Sequence, residues 1–208
     1  DHTLSPIDMQ EYGVIPDFGR EADVFWNKCL NAMKRKQMDQ ILAYMYMMLE
    51  EAKGKLIVNR SMLRALGKDV QLFDGVSDWF ARVNEYARSR GLQPEHYIIS
   101  SGLKEIIEGT PIAEEFKEIY AASFCYDEHG VACWPAVAVN DTSKTQFLVR
   151  VDKGVLDVTE HRALNEFMPE EKRRVPFSNM IYIGDGLTDV PSMKLTKLNG
   201  GHSIAVWQ

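Results

Sequence analysis

The chain has 208 residues, of which 45% are hydrophobic and 26% are charged, and its formal net charge is -6. A chain of this size and composition can bury a core of its own, and its acidic balance disfavours non-specific binding to nucleic acid or to an anionic membrane. A phosphate-bearing partner must therefore be met by a local cationic site. We predict neither a membrane span nor a signal peptide, because no apolar run reaches the ~20 residues of a membrane helix and no basic segment precedes an apolar one at the N-terminus. The expected location is cytoplasmic.

The cysteines and histidines show no pattern typical of a metal or redox site. Cys29, Cys125 and Cys133 are an odd number, are widely spread, and match no zinc or redox spacing. We interpret these three residues as buried or incidental thiols in a reducing compartment. The histidines likewise form no metal-site spacing; they are His2, His96, His129, His161 and His202.

Helical patterning fills residues 7 to about 67. Apolar residues such as Phe25 and Cys29 recur there at three- and four-residue steps, with charged residues between them. A further helix is predicted over residues 61–66, because a glycine follows it directly. The methionine and tyrosine stripe at residues 44–48 could line an adaptable pocket, but such stripes are more often part of the core.

A strand, a turn and a helix follow in order. Residues 76–91 carry the apolar face of one helix, and residues 97–99 form a short apolar strand that ends in Ser100, Ser101 and Gly102. A helical pattern resumes directly after the turn, which is the order of an α/β unit. Such a turn points backbone N–H groups and a hydroxyl at one place, which suits phosphate, although an ordinary serine cap has the same sequence.

The next part of the chain is a strand pair and a polar loop. Residues 116–126 and 131–139 are apolar and are separated by a turn, which predicts a hairpin or an edge ribbon. Pro135 fits an edge position because it lacks a backbone N–H. Lys144 stands in the polar loop before an amphipathic segment, and a lysine at such a junction is usually solvated. Residues 160–174 are charged and are predicted to be partly helical.

The strongest signal lies near the C-terminus. An apolar strand at residues 180–183 runs into Gly-Asp-Gly-Leu-Thr-Asp at residues 184–189. The glycines relieve the steric limits of the turn, and Asp185 and Asp189 can converge on a hard cation such as Mg²⁺. The alternative is a surface turn with two solvated carboxylates. A last strand is predicted at residues 203–207.

The order of these elements predicts one α/β core that holds a helical insert, rather than two serial domains. The core comprises residues 1–5 and 69–208, and the insert comprises residues 6–68. We expect both ends of the sequence to be trimmed, because no apolar strand precedes Asp1 and the last strand ends at Gln208 without a closing element.

Four features stand in sequence order: Asp1-x-Thr3, the strand ending in Ser100, the loop residue Lys144, and the stretch at residues 184–189. Together they resemble the four motifs of the haloacid dehalogenase superfamily of phosphohydrolases, and they are most similar to its phosphoserine-phosphatase-like branch. The resemblance implies an α/β fold with a three-layer, Rossmann-like parallel sheet and a site at the carboxyl ends of the strands. It also makes the helical insert a cap domain of the superfamily's first type.

By this resemblance, the first two motifs act on the substrate phosphate. Asp1 would be the general acid/base, and its backbone carbonyl would touch the metal. Thr3 would belong to the phosphate-binding set, and Ser100 would hydrogen-bond a phosphoryl oxygen, helped by the N–H groups of the turn at Ser101 and Gly102. The family's nucleophilic aspartate would stand two residues before Asp1, and the sequence does not contain it.

The third and fourth motifs supply charge. Lys144 would neutralise the phosphoryl group and the incoming nucleophile, with Lys153 as the alternative for this role. Asp185 would coordinate Mg²⁺ directly, whereas Asp189 would either hold a metal-bound water or orient Lys144. Together, Asp1, Asp185 and Asp189 make up the implied metal set.

The implied function is Mg²⁺-dependent hydrolysis of a small phosphorylated metabolite through an aspartyl-phosphate intermediate. One alternative is a phosphomutase, and the other is a catalytically inactive binding module, which the missing nucleophile favours. Metal-free dehalogenases are disfavoured, because two convergent carboxylates without a cation would repel each other. Aromatic and cationic residues of the insert are candidates for substrate selection, although its arginines are more typical of a surface; the candidates are Tyr12, Phe18, Arg20, Trp26, Tyr44, Tyr46 and Arg60.

Overall fold

The computed structural model describes residues 1–207 and divides them into two compact units. The first unit contains Asp1 and residues 3–139, and the second contains His2 and the residues from Asn140 onward. The predicted division into a core and a cap at residues 6–68 stays a prediction. Within residues 1–207, no helix is both long and apolar enough to cross a membrane.

Two helices of the first unit begin where a side chain satisfies their first N–H groups. The Asp39 carboxylate accepts hydrogen bonds from the N–H groups of Ile41 and Leu42, and the Asn59 side chain accepts one from Met62. The predicted helical content of residues 7–67 is confirmed. The α-helices are α1 (Met9–Tyr12), α2 (Val14–Asp17), α3 (Ala22–Lys36), α4 (Gln40–Ala52), α5 (Arg60–Leu66), α6 (Val76–Ser89) and α7 (Lys104–Ile107).

The first unit also contains a three-stranded sheet of β1 (His96–Leu103), β2 (Phe116–Tyr126) and β3 (Ala132–Val137), in that order. β1 and β2 are parallel, and β2 and β3 form the predicted antiparallel hairpin. β1 extends to Leu103, beyond the predicted end of the strand. Its ladder is nevertheless interrupted between Ser100 and Leu103, which pair with the adjacent residues Ala121 and Ala122. Residues 101 and 102 therefore lie outside the regular ladder.

One apolar core joins the helices of the first unit to its sheet. Met45 and Met48 of α4 are fully buried in the same cluster as Leu63 of α5, Leu103 of β1 and Ile106 of α7. Full burial of each such side chain contributes roughly 1.5–3 kcal/mol. The apolar stripe of α4 is therefore core, as its pattern predicts.

Close packing at Gly109 gives a testable consequence for this unit. A Cβ atom at Gly109 would overlap the carbonyl oxygen of Arg64 in α5 and would lie 2.8 Å from its carbonyl carbon. We expect Gly109→Ala to lower the free energy of unfolding by about 1–3 kcal/mol, because backbone atoms must move. Urea denaturation measures the change. Gly13→Ala is the matched control, since the three nearest atoms to its Cβ would all belong to the Leu66 side chain rather than to backbone. An equal loss in both variants would contradict the packing.

The second unit contains a two-stranded parallel sheet in which Ile181 pairs with His202. Its α10 was not predicted, although Pro191 in the first turn is typical of a helix start. The predicted strands at residues 180–183 and 203–207 are confirmed with small differences in their ends. The elements are α8 (Lys144–Lys153), α9 (His161–Asn165), β4 (Ile181–Gly184), α10 (Val190–Leu198) and β5 (His202–Ala205).

A buried arginine fixes α8 to the segment that follows it. Arg150 is 1% exposed, and its guanidinium donates to the backbone carbonyls of Asp157 at 2.6 Å and Val158 at 3.1 Å. A planar guanidinium with several fixed donors is suited to such carbonyl binding. The helix that begins at Lys144 is thus held at its far end by hydrogen bonds as well as by packing.

Candidate active site

In the first unit, the structure brings Asp1 to the turn at residues 100–102. The Ser100 hydroxyl accepts a hydrogen bond from the Gly102 N–H at 3.0 Å. One oxygen of the Asp1 carboxylate accepts from the N–H of Met9 at 2.8 Å, and the other would lie 2.9 Å from a Cβ atom at Gly102. The absence of a side chain at Gly102 therefore allows the carboxylate to approach the turn. We call Asp1, Ser100, Ser101 and Gly102 the turn cluster.

The backbone of Asp1 is also bound locally. Its carbonyl oxygen accepts a hydrogen bond from the N–H of Thr3 at 2.6 Å. This carbonyl is the group that the family resemblance directs to a metal, and a carbonyl oxygen has a second lone pair for another partner. Thr3 thus lies beside Asp1 through its main chain.

Tyr44 holds the turn cluster from α4. Its hydroxyl donates to the Ser101 carbonyl at 2.9 Å, and its side chain is buried. Burial raises the pKa of Tyr44, so the phenol remains a hydrogen-bond donor at any physiological pH. Tyr44 is one of the residues that the sequence analysis names as candidates for substrate selection. In the structure, its hydroxyl donates to the turn instead.

In the second unit, Lys144 forms a buried ion pair with Asp189. The Lys144 Nζ lies 2.7 Å from Oδ1 of Asp189 and 3.4 Å from the Thr188 hydroxyl, and the two charged side chains are 8% and 7% exposed. Lys144 is the first residue of α8, where the helix dipole disfavours a cation. The carboxylate of Asp189 offsets this effect. Lys144 is therefore buried, unlike most lysines at such a junction.

Both carboxylate oxygens of Asp189 accept hydrogen bonds. Oδ1 also accepts from the Tyr182 hydroxyl at 2.7 Å, and Oδ2 accepts from the N–H groups of Asp185 and Gly186, each at 3.2 Å. Burial would raise the pKa of Asp189, but the hydrogen bond and charge of Lys144, together with the hydrogen bonds from Tyr182 and Gly186, outweigh burial and hold this pKa below its usual value. These contacts are those of a residue that orients Lys144.

Gly184 makes room for this arrangement at the end of β4. A Cβ atom at Gly184 would lie 2.6 Å from the carboxyl carbon of Asp189. Any larger residue would displace the carboxylate. We call Lys144, Tyr182, Thr188 and Asp189 the lysine cluster.

Sequence reasoning missed Tyr182. The residue lies in β4 and is buried, and its pKa is raised by burial and by the charge of Asp189. Its position in an apolar strand indicates only core packing. The hydroxyl contact depends on Asp189 folding back onto the strand, which the strand pattern does not encode.

Asp185 differs from Asp189 in exposure. It directly follows β4, and its side chain is exposed. Residues 1–207 contain no group of three or more His, Cys, Asp or Glu side chains that could hold a metal ion. Mg²⁺ binds through one or two carboxylates together with water and substrate phosphate, so it does not require such a group. The exposed carboxylate of Asp185 fits this kind of site.

Lys153, the alternative motif lysine, is engaged elsewhere. Its Nζ donates to the backbone carbonyls of Leu164 and Glu166, each at 2.6 Å. These bonds fix the segment around α9. Of the two candidate lysines, only Lys144 lies in the lysine cluster.

The two candidate arginines of the helical insert have structural partners. Arg20 donates to Glu51 at 2.8 Å, and the hydrogen bonds and charges of Lys28 and Arg20 lower the pKa of Glu51 to about 2. The Arg60 guanidinium lies 4.7 Å from the ring centre of Tyr126, within the range of a cation–π contact. Neither arginine is placed as an isolated anion-binding side chain.

No family model matches the sequence. The chain is similar to an uncharacterised protein of Borreliella burgdorferi, with 27% identity over 154 residues that cover 66% of this chain and 52% of the relative. The chain therefore spans about half the length of the curated relative it matches.

Solved structures give a fold-level likeness over nearly the whole chain. A HAD family hydrolase of Salmonella enterica serovar Typhi matches with a TM-score of 0.61 and 15% identity, covering 98% of this chain and 64% of that one. A probable phosphoserine phosphatase of Vibrio cholerae, in its unliganded form, matches with a TM-score of 0.55 and 11% identity, covering 95% and 54%. At these identities the likeness shows the fold alone, and it confirms the predicted fold class.

Proposed function

We propose that this chain is part of a phosphatase that hydrolyses a small phosphorylated metabolite with Mg²⁺ as cofactor. The chain has the fold of the haloacid dehalogenase superfamily, and the proposed location is the cytoplasm. The observation that carries the proposal is the buried ion pair of Lys144 with Asp189. Removing each of the two charges from water costs several kcal/mol, so a buried ion pair often adds no net stability. The burial of this pair therefore points to a role other than stabilisation. A fixed lysine among hydroxyl and carboxylate groups is suited to neutralising a phosphoryl group.

The turn cluster supports the same proposal. The Ser100 hydroxyl uses its oxygen to accept from Gly102, and it therefore has a hydrogen to donate to a phosphoryl oxygen. Asp1 would exchange the proton of the leaving oxygen as general acid and base, with Thr3 beside it. The order of the four motifs, as the family resemblance interprets it, is what assigns these residues to one reaction.

Mg²⁺ would be held by Asp185 and would neutralise charge on the phosphoryl group. Asp189 would act on Lys144 rather than on the metal, because its two oxygens already accept hydrogen bonds. An aspartyl-phosphate intermediate stays part of the proposal, although the 208 residues hold no counterpart of the family's nucleophile. The test below distinguishes this proposal from a phosphate-binding module without catalysis.

The test is phosphate release from an aryl phosphate and a panel of small phosphomonoesters, with Mg²⁺ and with a chelator. The protein is the full encoded polypeptide that contains this chain, with the 208-residue chain in parallel. We expect Mg²⁺-dependent release by the full polypeptide and a decrease of about 10²-fold or more in kcat for Ser100→Ala. Ser61→Ala, at an exposed hydroxyl on α5, is the control. A folded full polypeptide that binds phosphate but releases none from any ester would instead establish the binding module.

A further inference from the structure

Two cysteines that form no redox motif in the sequence lie close together on the β2–β3 hairpin. Cys125 lies near the end of β2 and Cys133 near the start of β3, and both are exposed and free. Of the three thiols interpreted as buried or incidental, Cys29 is buried, whereas Cys125 and Cys133 are not. The sulfur of Cys133 lies 3.5 Å from the backbone carbonyl oxygen of Cys125.

An irregularity in the hairpin register explains why both thiols face solvent. Cys125 pairs with Trp134 and Tyr126 pairs with Ala132, so Cys133 is an extra residue between two successive pairs. Regular alternation would place Cys133 and Trp134 on opposite faces of the sheet. Both are instead exposed, as expected where a bulge re-aims a side chain. Because directly paired residues share a face, Cys125 opens onto the same side as Trp134, and the sulfur of Cys133 lies against the main chain of Cys125.

The hairpin is held in place around this pair. Ala132 donates its N–H to the carbonyl of Val58 at 2.8 Å, and Val131 forms an isolated bridge with Asn59. The two cysteines are thus neighbours across paired strands whose positions do not depend on any bond between them. A disulfide requires Cα atoms within about 4.4–6.8 Å of each other, and the 3.5 Å distance from the Cys133 sulfur to the Cys125 carbonyl oxygen places the two residues in close proximity.

We propose that Cys125 and Cys133 form a reversible disulfide, so that this hairpin is a redox site separate from the phosphatase residues. With hydrogen peroxide as oxidant, the sulfur of one cysteine attacks a peroxide oxygen, the O–O bond breaks, and a sulfenic acid and one water form. The sulfur of the second cysteine then attacks the sulfenic sulfur, the S–O bond breaks, and a second water leaves. The peroxide is reduced, the two thiols are oxidised, and a small dithiol reverses the bond by exchange.

The test is peptide mapping after one equivalent of hydrogen peroxide per chain. No lysine or arginine lies between Lys117 and Lys144, so a tryptic peptide of residues 118–144 holds both thiols. We expect this peptide to lose two hydrogen atoms, to lose both alkylatable thiols, and to regain them with dithiothreitol. Cleavage after Glu128 separates the two cysteines in sequence and should leave two peptides joined by the bond.

Cys29 and the single variants provide the controls. Cys29 is buried, and burial raises the pKa of its thiol to about 12. It should therefore remain reduced in the presence of peroxide and should react with the alkylating reagent only after the protein is unfolded. In Cys125→Ser or Cys133→Ser, the remaining thiol should accumulate as sulfenic acid, which dimedone traps. Formation of the bond in the parent chain should not depend on protein concentration. The proposal is overturned if the parent chain also accumulates sulfenic acid at both positions or forms only intermolecular dimers.

Discussion

Asp189→Asn is expected to lower the free energy of unfolding by about 3–5 kcal/mol, because it leaves the buried cation of Lys144 without its counter-charge. The side chains of the pair are only 8% and 7% exposed, so water cannot replace the lost carboxylate. Asparagine also lacks the second acceptor oxygen that Asp189 offers to the N–H groups of Asp185 and Gly186. Urea unfolding of the second unit, followed by circular dichroism, measures the loss.

Asp185→Asn is the matched control, four residues earlier in the same loop. Asp185 is exposed, and substitutions at such positions usually change the free energy of unfolding by no more than about 0.5 kcal/mol. A similar loss in both variants would show that the loop, rather than the buried pair, determines stability.

The pH dependence of the Asp189→Asn effect follows from the lowered pKa of Asp189. A carboxyl group with a lower pKa in the folded state stabilises the protein above its unfolded pKa of about 3.9 and loses this contribution as the pH falls through the folded-state value. We therefore expect a full difference between the parent chain and Asp189→Asn at neutral pH. The difference should shrink only below about pH 4, where Asp189 of the unfolded chain begins to be protonated, and should vanish as the pH falls through the lower folded-state pKa.

A double variant separates charge from packing in the lysine cluster. Replacing both partners, as in Lys144→Met with Asp189→Leu, removes the buried charges together, and such replacements are often neutral or stabilising. The double variant should regain most of the stability that either single variant loses. If the proposed function is correct, it should regain no activity.

The sequence was informative where a local pattern decides the structure. The apolar stripe of α4 predicts its burial, and Gly-Asp-Gly after an apolar run predicts the loop that follows β4. The hairpin at β2 and β3 follows equally from two apolar runs and a turn. In each case the neighbours in sequence carry the signal.

The features that the sequence did not predict depend on contacts between distant segments. The bond of Tyr44 to Ser101 spans 57 positions. The family resemblance already gave the orientation of Lys144 by Asp189 as one of two roles for Asp189, but it did not predict that this pair, 45 positions apart, is buried. The two exposed cysteines depend on one extra residue in a strand register, and register is a property of the paired strands rather than of either strand alone.

Lys144→Met is expected to reduce kcat by about 10²–10³-fold in the full polypeptide, because it removes the fixed cation proposed to neutralise the phosphoryl group. Lys153→Met is the control: it loses the hydrogen bonds to Leu164 and Glu166 and should change stability more than catalysis. Phosphate release is measured under saturating Mg²⁺ and is normalised to the folded fraction, since Lys144→Met also leaves Asp189 unpaired. If Lys153→Met abolishes turnover while Lys144→Met retains it, the catalytic lysine is not in the lysine cluster. The buried pair would then have a structural role alone.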